Sequence, residues 1–133
     1  MPRKAKSDDV NLRGEITIEL EGQEYILRPS FEAIESIEEA TGQTLFDLAG
    51  DATQGKLSFK VMGIIVAAMM RAYGKSHPED PLFTTYRSSK PERLSELIYE
   101  FGGPRVTARI TVLLVGALTG GYTASGEAKA VET

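Results

Sequence analysis

The sequence predicts an α+β fold that is mostly helical, with an N-terminal two-stranded antiparallel hairpin followed by four to five helices. Three observations carry this. Apolar residues alternate only near the start, at Ile16, Ile18 and Leu20. Four later segments repeat apolar residues at steps of three and four. Glycine and proline fall between these segments, where chain breaks belong.

Residues 1–13 mix basic, acidic and small polar types without periodicity and read as a flexible arm. Order is expected from Gly14. Thr17 and Glu19 alternate with the apolar residues of the first strand, Glu21, Gly22 and Gln23 supply a turn, and Glu24 to Arg28 form the second strand. Pro29 ends it. Ser30 is placed to cap a helix that buries Phe31, Ala33, Ile34, Ile37 and Ala40 and turns Glu32, Glu35, Glu38 and Glu39 outward, with Gly42 as its C-terminal stop. Thr44 starts a short helix through Leu45, Phe46 and Leu48, before a turn-rich run from Gly50 to Gly55.

Ser58 then caps the most hydrophobic element, with Phe59, Met62, Val66, Met69 and Tyr73 on one face and Gly74 at its end. A helix apolar nearly all round belongs at the centre of a fold. Lys75 to Lys90 holds two prolines and little periodicity and reads as a long surface loop. Pro91 opens a helix carrying Leu94, Leu97, Ile98 and Phe101. After Gly102 and Gly103, Pro104 opens the last one, with Val106, Ile110, Leu113, Leu114, Ala117 and Leu118 on one face. The domain is expected to span 14–120, and 121–133 reads as a flexible tail.

At 133 residues, 41% hydrophobic and 26% charged, the chain is sized for one packed domain. The absence of cysteine removes disulfides, thiolate metal sites and thiol nucleophiles. No segment approaches the ~18 apolar residues of a membrane span, and residues 1–13 lack the apolar stretch of a secretory signal. A net charge of −4 argues against nucleic-acid binding. These features favour a cytoplasmic protein with no membrane association.

No constellation in the sequence matches a recognised catalytic or ligand-binding pattern. The single histidine, His77, stands beside Glu79 and Asp80 in the proline-containing loop, without a recognised metal-ligand spacing. No serine sits in a nucleophile elbow, and no glycine run has phosphate-loop order. The carboxylates at Glu35 and Glu39 lie opposite the apolar face, where solvent keeps them ordinary. The Gly102-Gly103-Pro104 turn between two helices superficially fits a helix-turn-helix. Its second helix offers only Arg105 and Arg109 before an apolar run, so a packed helical hairpin is the better reading. Catalytic, cofactor and metal residues are therefore expected to be none, and the chain is expected not to be an enzyme.

The GEITIEL strand, the EYILRPSFEAIESIEEATG strand-helix unit, the LFDLAG segment and the helix ending Met69, Met70, Arg71, Ala72, Tyr73, Gly74 together resemble the tail assembly chaperones of long-tailed phages. The resemblance is to the type encoded among the tail genes of alphaproteobacterial gene transfer agents and related prophages. It spans Gly14 to Leu118 and departs at Lys75 to Lys90, which is longer than expected. It implies a non-enzymatic protein without cofactors that binds the tape-measure protein, keeps it soluble during tail building and is absent from the mature particle. Contact with the tail tube protein and self-association, through the exposed hairpin edge, are further expectations. The alternative is a virion structural protein, a tube or connector subunit, which should be richer in strands.

Methionines at Met62, Met69 and Met70 suit an adaptable groove for a partner helix, although core filling is the favoured reading of them. The helices Phe59 to Tyr73 and Val106 to Leu118 are expected to form that groove, with Phe59, Met62, Val66, Met69, Ile110 and Leu114 as the partner-binding residues.

Overall fold

A computed structural model describes residues 15–129. The expected arm at 1–13 lies outside them, as does the end of the tail from 130. The element order is β1 (Ile16–Leu20), β2 (Gln23–Leu27), α1 (Phe31–Thr41), α2 (Leu45–Thr53), α3 (Phe59–Ser76), α4 (Phe83–Arg87), α5 (Pro91–Phe101) and α6 (Gly103–Leu118). The fold is the mostly helical α+β arrangement that the sequence predicts, with six helices where four to five are expected.

The hairpin pairs Ile16 with Leu27 and Leu20 with Gln23 around a two-residue turn. Both central residues take positive φ, 57° at Glu21 and 79° at Gly22, the pattern of a type I′ turn that matches strand twist. Gln23 therefore belongs to β2 rather than to the turn. Ile16, Ile18, Leu20 and Leu27 face the core, as the alternation requires.

Side-chain caps set the helix starts. Ser30 Oγ accepts the Ala33 N–H, Thr44 Oγ1 that of Asp47, and Ser58 Oγ that of Val61, each at 3.1 Å. Gly42, at φ 72°, closes α1 by donating to the Glu38 carbonyl. Two glycines expected to break helices do not. Gly50 lies inside α2, and Gly74 lies inside α3, which runs on to Ser76. Gly74 is there because α4 crosses it: a Cβ would stand 2.7 Å from Tyr86 Cβ. Gly63 plays the same part toward α5, where a Cβ would meet the Pro91 carbonyl oxygen at 2.5 Å.

Helix α3 is the centre of the body. It packs on α1, α4, α5, α6 and β2, and ten of its residues are buried. Helices α2 and α6 form a second layer, tied where Thr111 Oγ1 donates to the Ala52 carbonyl at 3.3 Å.

The stretch expected as a loop, Lys75 to Lys90, contains α4. Its Tyr86 is buried, and the hydroxyl accepts the Ile26 N–H at 2.8 Å. Two apolar positions, Phe83 and Tyr86, and polar contacts such as that of Arg87 to the Arg71 carbonyl at 2.9 Å hold this turn, too few apolar residues to show as helical periodicity. The segment 121–129, expected as part of a flexible tail, folds back. Tyr122 bridges to Ala128, and the Ala124 carbonyl accepts the Phe31 N–H at 2.8 Å. Buried Arg28 holds it, donating from Nε to the Ser125 carbonyl at 2.7 Å.

Candidate interaction surfaces

Of the six residues expected to line a partner groove, Met62, Val66, Met69, Ile110 and Leu114 are 0–3% exposed and fill the core. Along most of its length α3 is covered by its neighbours, whereas at its N-terminal end Phe59 and the edge of Met62 line an open cleft against α6. Phe59, 42% exposed at the N-terminal end of α3, is the exception. Its ring meets Tyr99 of α5 edge to face at 5.5 Å between centroids.

The polar clusters are structural. Glu15 and Arg28 form a buried ion pair at 3.1 Å, and Arg28 also reaches exposed Glu127 at 3.5 Å. His77 stacks on Tyr73 with centroids 4.0 Å apart, and its Nδ1 lies 3.0 Å from the Tyr73 carbonyl oxygen. The Tyr73 hydroxyl donates to Asp80, whose other oxygen accepts the Leu82 N–H. His77 and Asp80 thus shape the chain entering α4. Burial, aided by Asp80, raises the Tyr73 pKa well above its ordinary value. Burial pushes Tyr86 up to about 12, against the opposing hydrogen bond from Ile26. Among the described residues, no group of three His, Asp or Glu side chains could hold a metal ion.

The outward edge of β2 is occupied. Its Ile26 N–H goes to Tyr86, and the following Arg28 N–H goes to the Met69 carbonyl at 3.2 Å. An edge whose donors are already taken is a poor template for another strand. The hairpin expectation for self-association therefore loses β2 as its surface.

Three apolar surfaces stand open instead. A cleft of about 410 Å³ lies between the starts of α1 and α2, the C-terminal end of α6 and the 122–124 segment, lined by Phe31, Ile34, Glu38, Leu45, Phe46 and Ala117 among others. Phe46 is 73% exposed and Phe31 59%. A second cleft, of about 600 Å³, lies where the end of α2 and the start of α3 meet the start of α6, and includes Leu57, Phe59, Met62, Pro104 and Ala108. The third surface is the outer face of α6. Pro104, Ala108, Val112, Val115 and the following Thr119 recur at steps of four, four, three and four, all exposed and none charged. Of these surfaces only the second holds residues nominated from sequence, Phe59 and Met62; the first cleft and the outer face of α6 hold none. The signal was present in Val112 and Val115, which widen the apolar stripe of the last helix beyond what one buried face needs.

The sequence matches the family described as phage tail tube protein, GTA-gp10, over residues 13–98. The chain belongs to this family. It is accordingly a protein related to the tails of phages and gene transfer agents, which the resemblance led one to expect at that level. The GTA-gp10 match runs from the hairpin into α5 and stops short of α6, so the outer α6 face lies beyond the matched residues. No curated protein and no solved structure matches the chain.

Proposed function

We propose that this member of the GTA-gp10 family is a tail assembly chaperone: a non-enzymatic, cofactor-free protein that binds the tape-measure protein in the host cytoplasm, keeps it soluble, and leaves before the particle is complete. The observation that carries this reading is the apolar outer face of α6, which bears no acid and a single exposed base, Arg105 in its first turn, on an otherwise acidic protein. An exposed helical stripe of Pro104, Ala108, Val112 and Val115 suits packing against apolar stripes of a long helical client. The acids of α1, Glu32, Glu35 and Glu39, face solvent elsewhere and would keep the loaded complex soluble. The contact surface is modest and partly formed by alanine and valine, which fits a client that must later be released.

Co-expression with the tape-measure protein of the same tail gene cluster tests this. The client should move from the pellet to the soluble fraction with the wild type. It should return to the pellet with Val112→Asp/Val115→Asp, a variant altered only at exposed positions. Failure of the wild type to solubilise the client would refute the proposal.

A second reading, a tail tube or connector subunit, is favoured by the description of the family itself. Against it stand a sheet of two strands and the capped outer edge of β2. Mass spectrometry of purified particles separates the two: a chaperone is absent, and a subunit is present in many copies.

A further inference from the structure

The two apolar clefts lie at opposite ends of the α2/α6 pair and carry opposite rims. At one end, the start of α2 meets the end of α6, with Phe46 and Ala117 in the same cleft. At the other, the end of α2 meets the start of α6, with Ala52, Thr53, Gly103 and Pro104 in the same cleft. The first rim is acidic. From Pro29 to Ala49 the chain holds five acids and no lysine, arginine or histidine, with Glu38 in the cleft lining, Asp47 beside Phe46, and Glu35 one turn from Phe31; Asp51, toward the other end of α2, is taken by Gln43 at 3.3 Å. The second cleft has no acidic side chain in its lining. Exposed Lys56, Lys60 and Arg105 directly adjoin its lining residues Gly55, Leu57, Phe59 and Pro104. Among the described residues none of these three bases takes part in an ion pair, whereas Glu96 of nearby α5 is taken by Arg93 at 3.2 Å.

An apolar surface with an acidic rim and an apolar surface with a basic rim are complementary, but one molecule cannot bring its two ends together. The nine residues of α2 alone hold them about 13 Å apart. A second copy can. We propose that copies of this chain associate head to tail, the acid-rimmed Phe31/Phe46 cleft of one receiving the Phe59 end of the next, with Lys56, Lys60 and Arg105 set against Glu35, Glu38 and Asp47. Such a contact is heterologous and generates a ring or an open array rather than a closed two-fold dimer. The rims set the orientation, since a like-with-like approach would oppose charges of one sign. The inference rests on the two clefts and their rims alone and holds whether the chain chaperones a client or joins a tail.

Sedimentation velocity on the full chain across a concentration series tests it without any other tail protein. The wild type should pass from monomer through dimer to larger species as concentration rises. Phe46→Asp and Phe59→Asp should each stay monomeric, because every contact needs one intact cleft of each kind. An equimolar mixture of the two should stop at a 1:1 dimer, since one intact cleft of each kind remains. Two-fold symmetric contacts predict otherwise: one single variant would still dimerise, and mixing would add nothing.

Circular dichroism and thermal melts matched to wild type establish that the variants fold. As a second route at exposed positions, Asp47→Lys and Lys60→Glu should each weaken association several-fold, and the two combined in one chain should restore it. A wild type that remains monomeric at the highest soluble concentration, a single aspartate variant that still associates, or a double charge swap that fails to restore would overturn the proposal.

Discussion

Gly63→Ala and Gly50→Ala are the same substitution in the same kind of backbone, and the structure predicts opposite signs. Both glycines lie inside helices, where replacing glycine by alanine contributes up to about 1 kcal/mol through backbone entropy. At Gly50 an added Cβ finds nothing within 4 Å, so the whole gain is realised. At Gly63 it would stand 2.5 Å from the Pro91 carbonyl oxygen and collide with Ser95 Oγ. The serine can rotate, but only by giving up its 2.8 Å bond to the Phe59 carbonyl, a loss of about 1 kcal/mol. The Pro91 carbonyl is backbone at the first turn of α5 and moves only if the helices separate, an overpacking cost of about 1–3 kcal/mol.

Subtracting the propensity gain leaves Gly63→Ala roughly 1–3 kcal/mol less stable than wild type. Gly50→Ala becomes up to about 1 kcal/mol more stable. At roughly 3–5 °C per kcal/mol for a chain of this size, the two melting temperatures should move apart by on the order of 10 °C. Urea unfolding followed by circular dichroism, with m unchanged, gives the free energies. A Gly63→Ala variant as stable as wild type would refute the close crossing of α3 over α5, and with it the account of why glycine stands mid-helix there.

Three further outcomes follow from local geometry. Glu21 holds φ 57° in the I′ turn, so Glu21→Asn should raise stability by about 1 kcal/mol in urea titrations, its 4.0 Å contact with exposed Arg93 being worth little. Arg28→Met removes the buried partner of Glu15 and the anchor of Ser125. It should cost about 3 kcal/mol and make the 121–129 segment the first site of limited proteolysis, whereas Glu127→Gln at the exposed end of the same cluster should change little. Tyr86→Phe strips the Ile26 N–H of its acceptor and should cost about 1–3 kcal/mol. In the wild type, Tyr86 titrates at about 12 when folded against 10.0 ordinarily. Its contribution is thus complete below pH 10 and falls away as pH rises toward 12, which tyrosinate absorbance together with alkaline unfolding will reveal.

The elements legible in the sequence are those whose ends carry their own chemistry. Ser30, Thr44 and Ser58 announce three helices because a hydroxyl just before an apolar run has one obvious use, and the structure gives each that use. Glycine was misleading for the opposite reason. A glycine that stops a helix and a glycine that lets another helix approach look alike in one dimension, and only the presence of α4 against Gly74 distinguishes them. Helix α4 itself was hidden because its five residues owe their order to Tyr86 reaching a strand sixty positions earlier. The docked 121–129 segment was hidden likewise, since its partner Arg28 lies in the hairpin.

The same distinction explains why the candidate surface moved. Periodicity reports which residues a helix buries and is silent on what buries them, so the strongest stripe in the chain, on α3, read equally well as a groove or as a core. Five neighbouring elements around α3 decide for the core everywhere but at its first turn, where Phe59 and Met62 meet an open cleft. What remains for partners is the surplus: apolar residues that α6 carries beyond its buried face, and aromatic residues at helix starts, Phe31, Phe46 and Phe59, each set one or two positions after its cap. A hydrophobic residue there is spared from the core by geometry, because the first turn of a helix projects past the layer it packs on. Large exposed side chains at three successive helix starts are costly to keep in water, and their division between an acidic and a basic rim indicates contacts with a defined orientation rather than general stickiness.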